Sequence, residues 1–294
     1  MKSDFEKTAV RVSVISIIVN IMLSLFKLVA GIVANSGAMI SDAVHSASDV
    51  ISTIIVIIGV KLSRRASDKE HPYGHERMEC VAAVVLAVIL AGTGLAIGYS
   101  AVSKIIKGNY EDLAVPGILA MIAAIVSIVA KEIMYWYTRN NAKKINSGAL
   151  MADAWHHRSD ALSSIGALIG IAGARLGYAI LDPVASLVIC IFILKAAYDI
   201  FKDAMDKMVD KSCSDEEEAR IKEMVLAVDG VLGIDLLQTR VFGNKIYVDL
   251  EIDADGDKTL RETHEIAETV HNIVETSFPD VKHIMVHVNP AEDK

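Results

Sequence analysis

The stretch "SDAVHSASD", Ser41 to Asp49, places two carboxylates and an imidazole inside an apolar run long enough to cross a membrane. A charged side chain near the centre of a bilayer costs roughly 2.5 to 3.5 kcal/mol on insertion scales, so such residues mark functional sites by default. The stretch therefore predicts a membrane helix that carries a polar function.

The same pattern occurs a second time as "DAWHHRSD", Asp153 to Asp160. Both copies read Asp-Ala-x-His-x-x-Ser-Asp, and each lies within an apolar run. Positions i, i+3 and i+7 share one face of a helix, so each copy aligns two carboxylates and an imidazole along one stripe. The repeat predicts two helices whose matching polar stripes face one another.

A His and an Asp four residues apart, supplied twice, make an N2O2 ligand set that suits a tetrahedral divalent cation such as zinc. We predict that this set is His45, Asp49, His156 and Asp160. Asp42 and Asp153 lie nearly a turn away, and supporting the ligands or admitting the ion is as plausible for them as ligation. The structural alternative is that the two stripes merely hold the helix bundle together.

Other ionisable residues in or near the apolar runs are not assigned to the metal site. The register of the repeat favours His156 over His157 as the ligand, and Arg158 is expected to face outward or to pair with a carboxylate. Lys131 and Glu132 offer an internal pair. Two further lysines are expected to snorkel or to contact lipid headgroups, namely Lys27 and Lys195.

The whole chain has the composition of a membrane protein. Of its 294 residues 53% are hydrophobic, and the net charge is −8. Six apolar runs have about the length that a membrane helix needs. They lie near residues 12–34, 38–62, 80–103, 114–137, 149–174 and 180–200.

Basic residues cluster on one side of these runs. They precede the first run and fill the connections between the second and third and between the fourth and fifth runs, where they include Lys7, Arg64 and Lys143. Because cytoplasmic loops are enriched in Lys and Arg, both termini are expected in the cytoplasm. We predict a multi-pass protein of the cell (inner or plasma) membrane.

Residues 210–294 read as a separate cytoplasmic domain behind a transmembrane domain of residues 1–209. The pattern predicts an αββαβ order, with a hairpin at Gly243-Asn244, which is a ferredoxin-like or metallochaperone-like α+β fold. This segment carries 9 Lys+Arg against 20 Asp+Glu. An acidic domain repels phosphates, so nucleic-acid binding is not expected. The three cysteines are widely spaced and indicate neither disulfides nor a thiolate metal site.

With six spans, paired His-x-x-x-Asp motifs in the second and fifth, and an αββαβ tail, the chain resembles the cation diffusion facilitator family of zinc-transporter type. The resemblance implies a homodimer that exports a divalent metal from the cytoplasm in exchange for protons. It implies Zn²⁺ as the main cargo and a possible regulatory ligand, with Fe²⁺, Co²⁺, Cd²⁺ or Mn²⁺ as alternatives and no organic cofactor. Manganese members usually have carboxylates or Asn where this chain has His45 and His156.

The resemblance also implies accessory sites outside the spans. A loop site would comprise Asp68, His71 and His75, and the alternative is a solvated turn. Tail positions matching regulatory ligands of relatives are Asp235, Asp249, His264 and His287, although Asn289 stands where relatives have an acidic ligand. Arg77 and Asp210 match a charge pair that couples the membrane and tail domains.

Two other classes of function compete with export. A membrane-embedded zinc metalloenzyme would normally have three protein ligands, an open position and a general base, whereas the repeat supplies four ligands and no separate base. A metal sensor anchored by its spans would not need the buried motif twice.

Overall fold

The computed structural model describes residues 2–33, 37–107, 118–175 and 181–291. Within some helices only the backbone is described, so the side chains of Asp42 and His45 lie outside the described set. The chain divides into two compact units, Met1–Met205 and Asp206–Lys294.

Six long helices build the first unit, and the last three residues of the sixth belong to the second unit. These are α1 (Lys2–Val33), α2 (Gly37–Ser63), α3 (Met78–Lys107), α4 (Ile118–Lys144), α5 (Gly148–Arg175) and α6 (Leu181–Met208). Within the described ranges, Phe5–Ala30 and Met78–Lys107 are long and apolar enough by length and composition to cross a membrane. Large apolar side chains point outward along these two helices, among them Met22, Val29 and Leu95, as a lipid-facing surface requires.

A tight turn joins α4 to α5. Asn146 adopts a left-handed φ of +49°, and the Ser147 N–H donates to the Ala142 carbonyl at 3.0 Å, a C-terminal cap typical of Asn. The Ser147 hydroxyl then accepts from the Leu150 N–H at 3.2 Å and begins α5. Because a helix rises about 1.5 Å per residue, this hairpin places the middle of α4 at the depth of the second motif on α5.

Small residues allow the neighbouring helices to approach closely. A Cβ atom built at Gly59 of α2 would overlap the Cβ of Ala82 on α3. A Cβ at Gly98 of α3 would lie 2.7 Å from Cys190 Sγ on α6. Small residues at such crossings are typical of membrane helices, where close packing replaces the hydrophobic effect between helices.

The second unit has the predicted αββαβ order. Its elements are α7 (Asp215–Leu226), β1 (Gly233–Phe242), β2 (Lys245–Ala254), α8 (Leu260–Ser277) and β3 (Val281–Pro290). The sheet order is β1-β2-β3, with β1 antiparallel and β3 parallel to the central β2. The predicted hairpin turns at Gly243, whose φ is +66°, and α8 supplies the crossover that a parallel pair needs.

The two tail helices begin at residues that cap them. Ser214 with Glu217, and Thr259 with Glu262, form reciprocal capping boxes at the starts of α7 and α8. The helices bury apolar side chains against the sheet in one core, which includes Ile221, Val225, Ile252, Val270 and Val274. A helical membrane domain followed by an α+β domain is therefore confirmed.

Candidate metal centre

Three of the four predicted ligands lie together inside the first unit. Asp49 of α2 and both His156 and Asp160 of α5 each offer a ligand atom, and these atoms lie within 4.8 Å of one another. His156 Nε2 is 3.4 Å from Asp49 Oδ1. All three side chains are at least nine-tenths buried. An imidazole and two carboxylates converging from two helices are a donor set that divalent cations bind.

The remaining members of the two motifs are placed differently. The side chains of Asp42 and His45 are outside the described residues, so their roles stay predictions. Asp153 is not part of the three-residue group. It is fully buried, and its Oδ1 accepts a hydrogen bond from Thr53 Oγ1 at 3.1 Å.

His157 faces Asp153 instead of the three-residue group. Its Nε2 lies 3.6 Å from Asp153 Oδ2, which is too long for a hydrogen bond. Within the described ranges neither ring nitrogen of His157 has a hydrogen-bond partner, although the side chain is fully buried. A second polar pair therefore lies beside the candidate ligands.

Lys131 of α4 is the site residue that the sequence did not reveal. Its Nζ donates to Asp49 Oδ2 at 2.6 Å and to Asp160 Oδ2 at 2.8 Å, and the side chain is 2% exposed. The expected pair of Lys131 with Glu132 is therefore wrong. Glu132 instead lies 3.5 Å from Arg158, which also stacks on Tyr135.

A buried polar stripe on α4 could have pointed to Lys131. Ser127, Lys131 and Thr138 are spaced by four and seven residues, and all three are buried, as expected for one helix face turned inward.

The expectation for Lys27 also needs correction. Lys27 is 3% exposed and donates to Ser46 Oγ at 2.9 Å, so it does not snorkel to a surface, whereas Lys195 is exposed.

The predicted loop residues form the second group of potential ligands. Asp68, His71 and His75 offer atoms within 4.8 Å of one another. Asp68 Oδ1 accepts the backbone N–H of His71 at 2.8 Å and that of Glu70 at 3.1 Å. The hydrogen bond from the His71 backbone is the main cause that lowers the pKa of the Asp68 carboxyl. An ionised carboxylate beside two imidazoles can hold a cation at the end of α2.

The predicted tail residues are not gathered into such a group. In the described part of the chain, the groups of three or more potential ligands are the two above. Asp235, His264 and His287 are exposed. Asp235 sits at a register shift in β1, and its Oδ2 accepts from the Asn289 amide at 3.0 Å. Asp249 lines a different, polar pocket with Glu218 and Arg240.

Two further predictions concern the cysteines and the coupling charges. Cys80, Cys190 and Cys213 are buried and do not form disulfides, and burial raises the pKa of the Cys213 thiol. Arg77 and Asp210 belong to different compact units, so their pairing stays a prediction.

Fold and residues together define a membrane protein of several spans with a buried group of potential cation ligands between two of its helices. The sequence matches the family models of the cation efflux transmembrane domain over residues 13–209 and of the cation efflux protein cytoplasmic domain over residues 213–291. The chain belongs to the cation diffusion facilitator family. Members of this family are transporters and not enzymes, so the metalloenzyme alternative is dropped.

Similar proteins come from plants and bacteria. The chain is 35% identical over 285 residues to Metal tolerance protein C1 of Arabidopsis thaliana, covering 92% of this chain and 60% of that protein. It is 32% identical over 299 residues to the manganese efflux system protein MneP of Bacillus subtilis (strain 168), covering 99% of each. A solved structure of MamM-CTD is 28% identical, covers 26% of this chain and 98% of its own, and has a TM-score of 0.26.

Proposed function

We propose that this protein exports a divalent metal cation from the cytoplasm in exchange for protons, through a site made by Asp49, His156 and Asp160. The observation that carries the proposal is the convergence of their ligand atoms, from α2 and α5, in the buried interior of the first unit. His45, at the position of the first motif that corresponds to His156, is proposed as the fourth ligand. Intramembrane carboxylates of this kind are otherwise too unfavourable to retain.

Zinc is the proposed cargo because imidazole and carboxylate together suit it. Manganese is the second candidate for two reasons. A relative that matches almost the full length is named a manganese efflux protein, and carboxylate oxygens suit Mn²⁺. Iron, cobalt and cadmium remain alternatives, because a mixed nitrogen and oxygen donor set also binds these metals.

Proton exchange follows from the chemistry of the ligands. A metal ion binds imidazole and carboxylate in their deprotonated forms, so loading the site releases protons and emptying it takes them up. A lower pH on the far side of the membrane therefore favours metal release there. The pH difference across the membrane would drive export.

The arrangement in the cell is proposed on sequence grounds. The basic connections support a cytoplasmic location for both termini of a cell-membrane protein. The tail matches a dimerisation domain of cation efflux proteins, which supports a homodimer. Arg77 and Asp210 are proposed to couple the two domains, and a charge exchange at both positions should restore activity that either single exchange lowers.

The loop and the tail are proposed as accessory metal sites. Asp68, His71 and His75 would concentrate cations at the membrane surface, and their partial exposure suits weak binding. In the tail, Asp235, Asp249, His264 and His287 would bind regulatory metal. Removing either set should change the metal concentration at which transport responds and leave the transport step intact.

Transport by the purified chain in proteoliposomes tests the main proposal. A dye sealed inside the vesicles reports Zn²⁺ or Mn²⁺ entry, with and without an acidic lumen. We expect the acidic lumen to accelerate entry, and we expect Asp160→Asn to abolish it. The control Asp199→Asn, which changes an exposed carboxylate on α6, should leave entry unchanged.

Three results would contradict separate parts of the proposal, and a fourth would favour the anchored sensor. Entry that does not respond to the pH difference would exclude proton exchange. Full activity of Asp160→Asn would exclude the site. Faster entry of Mn²⁺ than of Zn²⁺ at equal concentration would replace zinc by manganese as the cargo. Metal binding by the tail of the wild type without any transport would favour the anchored sensor.

A further inference from the structure

Lys131 occupies the space between the two carboxylates that are proposed to bind the transported ion. Its Nζ lies 2.6 Å from Asp49 Oδ2 and 2.8 Å from Asp160 Oδ2. These are the short distances of charge-assisted hydrogen bonds. The two acceptors come from different helices, α2 and α5, while the lysine comes from α4. One ammonium group therefore bridges the same two residues that a metal ion would bridge.

The charges in this space restrict what can occupy it. Two carboxylates carry two negative charges, and the ammonium balances one of them. A divalent cation balances both. The ion and the ammonium together would place three positive charges against two negative ones in a buried volume where water cannot screen them.

The hydrogen bonds from Lys131 also occupy oxygen atoms that a metal ion would need as ligands. The Oδ2 atoms of Asp49 and Asp160 are both engaged by Lys131. A metal ion forms short, direct bonds to such oxygens. Because the Lys131 ammonium lies 2.6 to 2.8 Å from both Oδ2 atoms, an ion that binds these two oxygens must displace it.

We propose that Lys131 is a tethered cation that holds Asp49 and Asp160 when no metal is bound and competes with the metal for them. This inference rests on the proposed function of those two residues. In the empty transporter the lysine keeps the carboxylates from facing the membrane interior with two uncompensated charges. In the loaded transporter it is withdrawn from them, and its return assists metal release.

The competition has two consequences that a purely structural ion pair lacks. First, it weakens metal binding, since each binding event breaks two charge-assisted hydrogen bonds. Second, Lys131 assists the conformational change by which the empty transporter returns to the cytoplasm-facing state. It does not assist the conformational change of the metal-loaded transporter. Net transport requires both movements, whereas exchange of metal for metal across the membrane requires the loaded form alone.

Metal binding to the purified full-length chain in detergent tests the first consequence. Lys131→Met and Lys131→Gln remove the charge, Lys131→Arg retains it, and Lys195→Met removes a lysine charge from α6 as a control. The Kd for Zn²⁺ is measured at one fixed neutral pH by calorimetry. We expect the two neutral variants to bind at least about tenfold more tightly than the wild type, or about 1.4 kcal/mol, and Lys131→Arg and Lys195→Met not to do so.

Radioactive Zn²⁺ flux in proteoliposomes tests the second consequence. We expect Lys131→Met to lose net uptake while keeping a larger share of its zinc-for-zinc exchange, and the control Lys195→Met to keep both. An unchanged Kd in the neutral variants, or an equal loss of net uptake and exchange, would overturn the proposal. If Lys131→Met does not give a monodisperse protein, Lys131→Gln and Lys195→Met supply the same comparison.

Comparison of Asp160→Asn with the wild type separates this inference from the proposed function. If zinc binding and transport by Asp160→Asn equal those of the wild type, the proposed site is refuted, and the role of Lys131 is refuted with it. If Asp160→Asn removes them but the neutral Lys131 variants bind no more tightly, the site stands and only the tethered cation is refuted.

Discussion

Asp153 shows how single residues adapt to burial in the helical unit. It has no exposed surface, and the Thr53 hydroxyl donates to its Oδ1 at 3.1 Å. Thr53→Val keeps the shape of the side chain and removes this donor. Because an unsatisfied buried polar group costs about 1–3 kcal/mol, we expect Thr53→Val to lower the free energy of unfolding by about that amount, as measured by thermal unfolding in detergent.

Thr93 provides the matched control for this prediction. Its hydroxyl donates to the Ile89 carbonyl of its own helix at 3.1 Å, a local bond that contributes little to stability. Thr93→Val should therefore change the free energy of unfolding by less than about 0.5 kcal/mol. Equal losses in the two variants would contradict a specific role for Thr53.

The Asp68 loop gives a pH-dependent prediction at the same scale. Backbone hydrogen bonds from His71 and Glu70 lower the pKa of the Asp68 carboxyl. A lowered folded-state pKa stabilises the loop above the unfolded-state pKa of about 3.9, and this stabilisation disappears as the pH falls through the folded-state pKa. We expect the His71 and Glu70 amides to lose hydrogen-exchange protection below that pH.

The measurement is hydrogen exchange with mass spectrometry, corrected for the intrinsic rate at each pH. Asp68→Asn keeps an acceptor oxygen but has no carboxyl to titrate. The acid-dependent loss should therefore be absent in Asp68→Asn. The same loss in both proteins would show that another group controls the loop.

At the scale of whole elements, the closest helix crossings depend on glycine. A Cβ at Gly59 would overlap Ala82 Cβ, whereas a Cβ at Gly92 meets no atom within 4 Å. We expect Gly59→Ala to lower the free energy of unfolding by about 1–3 kcal/mol through overpacking of α2 against α3. Gly92→Ala adds the same methyl group at an open position and should be neutral or stabilising.

Thermal unfolding of the two glycine variants beside the wild type decides this point. Because α2 carries Asp49, displacement of α2 by the new methyl group should also weaken zinc binding in Gly59→Ala. A Gly59→Ala protein with unchanged stability and zinc affinity would show that the α2–α3 crossing can yield without disturbing the site.

The sequence predicted elements well wherever local chemistry decides them. The capping pair Ser214 and Glu217 indicates the start of α7, and Gly243 indicates the hairpin turn. The repeated motif predicts that Asp49 and Asp160 occupy equivalent positions on two helices. The sequence did not predict the contacts of Lys131, because its partners Asp49 and Asp160 are 82 and 29 residues away. A neighbouring Glu132 offered a local pair, and only the rotation of α4 against α5 shows which of the two residues turns inward.

At the scale of the whole molecule, the tail is much more acidic than the rest of the chain. Residues 210–294 hold 9 Lys+Arg and 20 Asp+Glu, so two tails in a dimer repel one another. This repulsion is screened by salt and removed by bound cations. We expect fluorescence transfer between tails labelled at an introduced Leu260→Cys, a position 86% exposed, to rise at about 0.5 M salt and to rise further with Zn²⁺.

An uncharged osmolyte at equal osmolarity is the control for the tail measurement and should leave the transfer unchanged. A zinc effect that vanishes once salt has screened the charges would indicate screening alone and no tail metal site. Transfer that does not respond to salt would contradict charge repulsion between the tails.

X-ray absorption at the zinc edge, on the full-length protein loaded with one equivalent of Zn²⁺ per chain, tests the central claim most directly. We predict a shell of nitrogen and oxygen ligands at about 2.0–2.1 Å with imidazole scattering. In Asp49→Asn and Asp160→Asn the zinc that survives dialysis, and this shell with it, should be lost, while Asp68→Asn, which changes the weak loop site, should retain them. An unchanged spectrum and unchanged zinc content in the Asp49 and Asp160 variants would contradict a metal site between α2 and α5.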